Sequence, residues 1–408
     1  MLTPEYLQRI TEGAEEISSS LHRTIMDMII KRIMARLGRG EEYLLTQTDR
    51  WQIQVLQESG ELLEDIQKEI ADKTKLQQKE IKDAFIDAGI TSLKWDDAVY
   101  IAAGLTPTAL MQSPTMLRIL ERDYLATAGE WNNFTRTTAL EAQRTFINQM
   151  DNAYHLVSTG AVSYTQAVRD VINNITEVGL KVNYPTGYRM SIESATMMIV
   201  RTGVGQAAAD ISMKRMEEMN WDTVLVSAHL GARTGNGGMN PGNHLWWQGR
   251  FYSRSGKDKR FPDFVKTTGF GTGEGLCGWN CRHSFGSGDG VNNPYDDKKI
   301  NFADNHKVEE LQKKQRAQER RIRDTKRKIQ NLQTAVDNCK DDKARFELQN
   351  MLDRKAHTLK LQNKRYSTFC EENDLREYAE RLKVAQWDRK QAMKSAAAAR
   401  RYESAKKS

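Results

Sequence analysis

Several kinds of residue or motif are scarce in this sequence, and each scarcity argues against a class of protein. No run of 18 apolar residues occurs, and the best candidate, TMMIV, stops at Arg201, so we expect no membrane-spanning segment. Four cysteines in 408 residues do not make a disulfide framework. Two of them, Cys339 and Cys370, lie in helical stretches, which favours a reducing cytosolic origin. The first sixteen residues are acidic and polar, unlike a signal peptide.

Proline and glycine are unevenly distributed, and they divide the chain into three parts. No proline follows Pro294, and fifteen of the 27 glycines fall within residues 231–290. We therefore predict a mainly α fold with a helical N-terminal region over 1–155, a small central glycine-rich α+β domain over 156–302, and a basic coiled-coil-like helical tail over 303–408.

Helical spacing of apolar residues sets the predicted elements before residue 220. GRGEE at 38–42 is the expected break between the first two long amphipathic helices. Pro107 and Pro114 favour shorter helices with turns over 91–155. Residues 163–180 form a predicted helix with a serine N-cap and a closing glycine, and a further helix is expected over about 190–219.

After residue 220 the periodicity changes. The β-branched stretch Thr223–Ser227 is too short for a lone helix, so it is predicted as a strand, and residues 249–255 are a second candidate. The loops around these strands are long for a compact domain. Such loops are usually functional or are held by something other than a hydrophobic core.

The basic character of the chain belongs to its tail. Residues 303–408 hold 28 Lys+Arg against 17 Asp+Glu, a net of +11, whereas residues 1–302 carry a net of −4. A heptad seam starts near Val308, and its phase slips near 346–352. Such a slip fits either a stutter in a coiled coil, with self-association of the tail, or a helical hairpin that reverses direction.

Within this tail, residues 312–330 carry nine Lys/Arg, two acids and no aromatic residue. That composition favours nonspecific contact with the phosphates of double-stranded DNA over sequence reading. The alternative is a solvated coiled-coil face, which is commonly this charged. The candidate phosphate-binding residues are Lys313, Lys314, Arg316, Arg320, Arg321, Arg323, Lys326, Arg327 and Lys328.

The loop GLCGWNCRHSFGSGDG, residues 275–290, gathers residues that can bind a metal. Thiolate and imidazole are the ligands that tetrahedral zinc prefers, and Cys277 and Cys281 have a zinc-knuckle spacing. The hypothesis is a structural zinc site made from both cysteines and two of His229, His244 and His283. The alternative is that the cysteines are small buried hydrophobes and the histidines bind loop carbonyls.

Complete catalytic motifs are lacking. Glu274 could act as a general base beside a metal, but there is no H-E-x-x-H helix. GFGTGEG at 269–275 lacks the G-K-[ST] ending of a phosphate-binding loop, and there is no G-x-S-x-G elbow. We therefore expect no enzyme. The alternative is an enzyme, either zinc-dependent or nucleotide-modifying.

Two long and unusual stretches carry a resemblance. HLGARTGNGGMNPGNHLWWQGRFYSRSGK, followed by TGFGTGEGLCGWNCRHSFGSG, closely resembles the phage minor capsid protein 2 family, a relative of the Mu F-like minor head (head morphogenesis) proteins of tailed bacteriophages. The resemblance is strongest across about 195–290 and extends more weakly through the preceding helices.

The Mu F-like pattern is an Arg-Thr-Glu helix, a tryptophan, a histidine followed by a glycine, and an Asn-Cys-Arg-Cys ending. Gly203 stands where the pattern has the glutamate, and His283 stands where it has the last cysteine. The first departure weakens a catalytic role, whereas the second keeps a metal ligand. The residues matched to this motif or assigned to hold its loops are Arg201, Thr202, Trp221, Arg233, Trp247, Gly249, Trp279, Asn280 and Arg282.

The resemblance implies a structural protein of the virion. We expect it inside the capsid near the portal after assembly in the host cytoplasm, where it would assist head assembly, DNA packaging or DNA ejection. The implied partners are the portal protein, the major capsid or scaffold proteins, and packaged DNA through the basic tail. The helices of 1–155 are the candidate docking region for portal or capsid, and Arg233 and Arg282 are expected to hold loops through bidentate hydrogen bonds.

Overall fold

The protein is mainly helical in its computed structural model, which describes residues 1–45, 51–184, 187–296 and 302–406. The α-helices are α1 (Pro4–Arg9), α2 (Glu12–Leu37), α3 (Glu41–Leu45), α4 (Trp51–Ala102), α5 (Pro114–Ser158), α6 (Tyr164–Val178), α7 (Ile192–Glu218), α8 (His244–Trp247), α9 (Phe264–Thr268), α10 (Asn305–Asn338), α11 (Asp342–Glu372) and α12 (Arg389–Ala405). Short 3₁₀ turns cover Leu110–Gln112 and Ala379–Leu382. Among the helices in the described ranges, none is both long and apolar enough to cross a bilayer.

In the ranges that the structure describes, five short strands form two antiparallel sheets. The strands are β1 (Lys181–Asn183), β2 (Arg189–Ser191), β3 (Thr223–Val226), β4 (Phe251–Ser253) and β5 (Phe285–Ser287). β1 pairs with β2, and β3 lies between β4 and β5 in the other sheet. The strands predicted at Thr223–Ser227 and within 249–255 are confirmed. β1, β2 and β5 were not predicted; each has three residues, too few to show a period of two, and β4, of the same length, was found only within the wider candidate stretch 249–255.

Most of the predicted helices are present, with one error. The break at 38–42 and the helices at 163–180 and about 190–219 are confirmed, and Ser163 Oγ accepts the Gln166 N–H at 3.2 Å as an N-cap. The short helices expected over 91–155 are wrong, because α4 continues to Ala102 and α5 runs for 45 residues. Pro114 does not break a helix, since it occupies the first turn of α5, where no backbone N–H is needed.

The chain folds into two compact units, and each takes residues from all three predicted segments. The first unit comprises Met1–Glu15, Lys75–Asn132 and Ser194–Lys313, and the second comprises Glu16–Thr74, Asn133–Glu193 and Lys314–Ser408. The units are discontinuous in sequence because α4, α5 and α10 each contribute residues to both.

In the first unit, α4 holds the edge of the three-stranded sheet. The buried Asp96 carboxylate accepts the Ser287 backbone N–H at 2.6 Å, and the Trp95 indole N–H donates to the Ser287 carbonyl at 3.0 Å. A Cβ on Gly286 would lie 2.7 Å from the Asp96 carboxylate, so only glycine allows so close an approach. The short strand β5 is therefore fixed by polar contacts as well as by its pairing with β3.

In the second unit, α10 and α11 form a helical hairpin. The helices break at Cys339–Asp341 and run antiparallel, since Gln315 donates to Cys370 Sγ at 3.5 Å and Tyr366 donates to Glu319 at 3.2 Å. Of the two alternatives for the phase slip, the hairpin is confirmed. The turn precedes the slip at 346–352, because Asp341 caps α11 by accepting the Ala344 N–H.

A buried carboxylate connects three segments of the second unit. Glu193 is 1% exposed and lies 2.9 Å from Nδ1 of His22 and 3.1 Å from the Arg327 guanidinium. Burial alone would raise the pKa of Glu193, but Arg327 and His22 outweigh it and hold that pKa well below its usual value. The carboxylate is therefore charged and contributes stability above the unfolded-state pKa, and this contribution is lost as the pH falls through the lower folded-state pKa.

We expect Glu193→Gln to lower the free energy of unfolding by about 3–5 kcal/mol at pH 7, because Arg327 loses its buried partner. Urea denaturation would measure the loss. The matched control is Glu177→Gln, since Glu177 is 39% exposed in its pairs with Lys328 and Lys355, and such pairs contribute about 0–1 kcal/mol. Equal losses in the two variants would contradict a special role for Glu193.

Candidate metal centre

Three buried side chains of the first unit converge on one point. Nδ1 of His244 lies 3.4 Å from Nδ1 of His283, and Sγ of Cys281 lies 3.8 Å from each nitrogen. The three side chains are 2–7% exposed. Among the residues described, they form the one set of three or more His, Cys, Asp or Glu whose donor atoms could hold a metal together.

His244 and His283 are placed by the ends of secondary-structure elements. His244 opens the short helix α8, which Asn243 caps by accepting the Trp246 N–H, and its own N–H donates to the Arg233 carbonyl at 2.8 Å. His283 directly precedes the segment that pairs with β3, and the next N–H, of Ser284, donates to Ser227 Oγ at 2.9 Å. The backbone of His244 is thus held by the Arg233 segment, and that of His283 by the end of β3.

Cys281 is placed by a loop that closes on its own backbone. Leu276 donates its N–H to the Thr268 carbonyl at 3.0 Å, and Cys281 donates to the Gly278 carbonyl at 3.1 Å. A Cβ on Gly275 would lie 2.2 Å from the Gly269 carbonyl, and one on Gly278 would lie 2.3 Å from the Gly273 carbonyl. The glycines are needed because backbone packs directly on backbone.

The hydrogen bonds around His283 fix which of its nitrogens carries the proton. Gln248 Oε1 accepts the His229 backbone N–H at 3.1 Å, so this atom of the amide is an acceptor. Nε2 of His283 lies 2.8 Å from the same oxygen and must therefore be protonated. Its Nδ1 then presents a lone pair towards Cys281 and His244.

The outer nitrogen of His244 has two neighbours. Nε2 lies 2.9 Å from the Glu274 carbonyl and 2.7 Å from the Arg233 guanidinium, which also donates to that carbonyl at 3.1 Å. If Nε2 donates to Glu274, Nδ1 carries a lone pair. If Nε2 accepts from Arg233, Nδ1 carries the proton. In the first arrangement Nδ1 of His244 can bind a cation, whereas in the second it carries a proton that points to the same place.

Burial keeps these groups neutral in the absence of a cation. It lowers the pKa of His244 to about 4, with a further contribution from the charge of Arg233, and it lowers the pKa of His283 well below its usual value. Burial also raises the pKa of the Cys277 and Cys281 thiols. Neutral imidazole is the form in which histidine binds a metal.

The other two residues of the predicted zinc site flank this group. Cys277 packs in the apolar core of the sheet, and its Sγ lies 3.8 Å from the His283 carbonyl, which Cys281 Sγ approaches at the same distance. The His229 ring stacks on the His283 ring at 4.4 Å, with its Nδ1 3.0 Å from the Leu230 carbonyl. Neither residue belongs to the converging set.

Of the tryptophans and Gly249 of the motif, Trp247 contacts the site directly. Trp247 is fully buried, lies against the His244 and His283 rings at 4.5 and 5.0 Å, and donates to the Pro241 carbonyl. Trp221 donates to the Gly288 carbonyl at 2.9 Å. Gly249 has φ +67°. Trp279 is 63% exposed, with its ring over Gly273.

The remaining motif residues lie on the loops or on α7. Asn280 has a left-handed backbone with φ +54°, and Arg282 is half-buried. Arg201 donates to Gln8 of α1 at 3.3 Å, and Thr202 follows it on the same helix. These two therefore sit in the helical core of the first unit, and no described contact links them to His244, Cys281 or His283.

At position 203, where the Mu F-like pattern has a glutamate, the packing leaves no room for a side chain. A Cβ at this position would lie 2.2 Å from Thr127 Oγ1 and 3.1 Å from the Phe85 ring. The helices therefore meet at a point where no side chain fits. Glu274 contributes to the site through its backbone carbonyl, and its side chain is exposed.

Sequence reasoning missed two residues that support the site. Gln248 orients His283, and Asn305, the first residue of α10, exchanges hydrogen bonds of 2.9 Å with both backbone groups of Ala232. The Asn305 contact fixes the segment that carries Arg233. Gln248 belongs to the unusual stretch WWQG, which could have marked it as a site residue. Nothing in the sequence around Asn305 marks it in the same way.

In the basic tail, four of the nine candidate phosphate-binding residues are engaged within the second unit. Arg323 donates to the Arg381 carbonyl, Lys326 donates to the Leu382 carbonyl, Arg327 pairs with Glu193, and Lys328 pairs with Glu177. Arg316 is half-buried and has contacts of its own. These side chains are not placed as exposed phosphate ligands.

The other candidates in the tail are exposed. Lys313 forms ion pairs with Glu309 and Glu310 at 3.0 and 2.9 Å. Lys314, Arg320 and Arg321 are exposed on α10. Of the nine candidate residues, only these exposed ones remain available to bind phosphate, and their contact with DNA stays a prediction.

Comparison with known proteins identifies the family of the chain. A family model described as phage minor capsid protein 2 matches residues 2–391. No curated protein and no solved structure shows a significant match. Since the match covers nearly all of the sequence, including both compact units and the His244–Cys281–His283 cluster, the chain belongs to the phage minor capsid protein 2 family.

Proposed function

We propose that this structural phage protein lies inside the capsid near the portal and contacts packaged DNA through a groove of the α10–α11 hairpin. The groove is lined by Lys314, Ala317, Gln318, Arg321, Gln362, Arg365 and Phe369, and we call it the basic groove. It contains three cationic side chains and no acidic one. This charge pattern is the observation that carries the proposal, because a phosphate backbone is attracted to cations that lack acidic neighbours.

The groove suits a DNA backbone better than a DNA sequence. Arg321 and Arg365 are exposed, and arginine can bind phosphate oxygens through two N–H groups at once. Uncharged side chains, Ala317, Gln318, Gln362 and Phe369, line the rest of the groove. Contacts of this kind position a protein on DNA without reading bases, which suits a protein that meets packaged genomes at any sequence.

Contact with the portal or capsid shell is the second part of the proposal. In the first unit, Ile101, Leu105 and Met111 are 63%, 37% and 57% exposed around the connection between α4 and α5. Apolar side chains exposed close together in the sequence support a protein-binding role for this connection. We assign it as the contact with portal, major capsid or scaffold protein during head assembly.

The alternative of a phage-delivered enzyme receives less support. Catalytic zinc sites keep a position open to substrate. His244, Cys281 and His283 are nearly fully buried, and the one acid proposed as a general base, Glu274, faces the site with its carbonyl. We therefore favour a structural role for this cluster.

In purified particles of the phage that encodes this chain, quantitative mass spectrometry should find a few copies per filled head. The copy number should fall after triggered DNA release, because a protein bound to packaged DNA near the portal leaves with it. The major capsid protein in the same sample is the control for particle loss. Unchanged copies after release would contradict an association with departing DNA, and absence from filled heads would contradict an internal position.

Reversing the charge of the basic groove should weaken DNA binding. The triple variant Lys314→Glu, Arg321→Glu, Arg365→Glu removes up to three phosphate contacts, so the slope of log K against log salt should fall by about 3 in magnitude. Fluorescence anisotropy with a random-sequence duplex over a range of salt concentrations would measure this slope.

The matched control reverses three exposed lysines on one face of α4, in Lys68→Glu, Lys75→Glu, Lys79→Glu. Both triple variants change the net charge equally, so an effect of total charge would appear in both. The control should keep the salt slope of the unaltered protein. Equal loss in the two variants would refute the basic groove as the DNA contact.

A further inference from the structure

We propose that His244 Nδ1, Cys281 Sγ and His283 Nδ1 bind one zinc ion, which joins the start of α8 to the segment 281–283 in the glycine-rich part of the first unit. This inference is independent of the DNA and portal contacts. It depends only on donor atoms and their surroundings, so it can fail while the proposed function holds. The ligand set differs from the sequence hypothesis because Cys277 and His229 are outside it.

The spacing of the three atoms fits tetrahedral zinc. With Zn–N of about 2.0 Å and Zn–S of about 2.3 Å, two nitrogens should be about 3.3 Å apart, and a nitrogen and a sulfur about 3.5 Å apart. The corresponding distances are 3.4 Å between the nitrogens and 3.8 Å from sulfur to each of them. All three sides of the triangle therefore match one coordination geometry.

The metal-free alternative explains the distances less well. A proton on His244 Nδ1 could be donated to His283 Nδ1, but 3.4 Å is longer than an ordinary N–H hydrogen bond. In that arrangement the Cys281 thiol has only long contacts, each of 3.8 Å, to the two ring nitrogens and to the His283 carbonyl. One cation uses all three inward donor atoms at once.

The outer atoms of the ligands have the partners that metal-bound histidines usually have. A zinc-bound imidazole donates its other N–H to a carbonyl or carboxylate, which fixes the ring and makes it a stronger ligand. Here Gln248 Oε1 lies 2.8 Å from Nε2 of His283, and the Glu274 carbonyl lies 2.9 Å from Nε2 of His244. The Gln248 acceptor directs a lone pair of His283 Nδ1 inward, and His244 Nδ1 does the same when Nε2 donates to the Glu274 carbonyl and not when it accepts from Arg233 at 2.7 Å.

Zinc fits the chemistry and the position of the site. One thiolate and two imidazoles form a donor set of the type that zinc binds, and they are too soft for magnesium or calcium. The ligands come from α8, from the loop that ends at Cys281, and from the residue that leads into β5. An ion at this point would join these segments in addition to the apolar cluster that they share through Trp247, Cys281 and Phe285.

The first measurement is metal content of the full-length protein, purified without metal affinity resin, by inductively coupled plasma mass spectrometry. We expect close to one zinc per chain, and at least a tenfold loss in Cys281→Ser and in His283→Asn. The matched control is Cys277→Ser, which replaces an equally buried thiol outside the set and should keep its zinc. A different metal at that stoichiometry, or equal loss in the two serine variants, would overturn the assignment.

Replacing the bound metal with cobalt in the unaltered protein gives a second test, which does not depend on whether a variant folds. In the unaltered protein, Co²⁺ should give the visible bands of tetrahedral coordination and charge-transfer absorption of a single Co–S bond. Absence of binding, octahedral bands or the intensity of two Co–S bonds would overturn the proposal. Gln248→Leu should weaken zinc binding about 10–100-fold, and Gln248→Glu, which keeps the acceptor, should restore it.

Discussion

The glycine-rich part of the first unit depends on close contact of backbone with backbone. Between Thr268 and Cys281 the chain turns on itself so tightly that Gly275 and Gly278 approach carbonyl oxygens of the same loop. A loop built in this way buries few apolar side chains of its own. It needs anchors of another kind, and hydrogen bonds and the histidine–cysteine cluster occupy that place.

Those anchors are coupled, because one hydrogen-bond acceptor often serves two neighbouring groups. Gln248 accepts from the His229 backbone and faces His283, and the Glu274 carbonyl accepts from Arg233 and faces His244. In a buried setting an unpaired polar group costs about 1–3 kcal/mol, so each partner restrains the next. The orientation of the donor atoms thus follows from the folding of the loops around them.

The sequence predicted the helices with strong local signals and missed what depends on distant partners. Ser163 and the 3.6-residue period were sufficient for α6, and two of the three histidines that could complete a metal site did converge with Cys281. Nothing local separates Cys277 from Cys281, because both are buried thiols four residues apart. Both thiols lie in one apolar cluster, and they differ in that Cys281 Sγ lies 3.8 Å from Nδ1 of both His244 and His283.

By sequence alone, His283 replaces the last cysteine of the Mu F-like ending with another type of metal ligand. In the structure, the second nitrogen of its imidazole adds a requirement that a cysteine would not have. A cysteine at this position would offer one sulfur and require nothing behind it. An imidazole brings an outer N–H that must be satisfied in a buried site, and Gln248 supplies the acceptor at 2.8 Å. His283 and Gln248 therefore form one functional pair, and the histidine is a workable ligand in this fold because the glutamine of WWQG lies behind it.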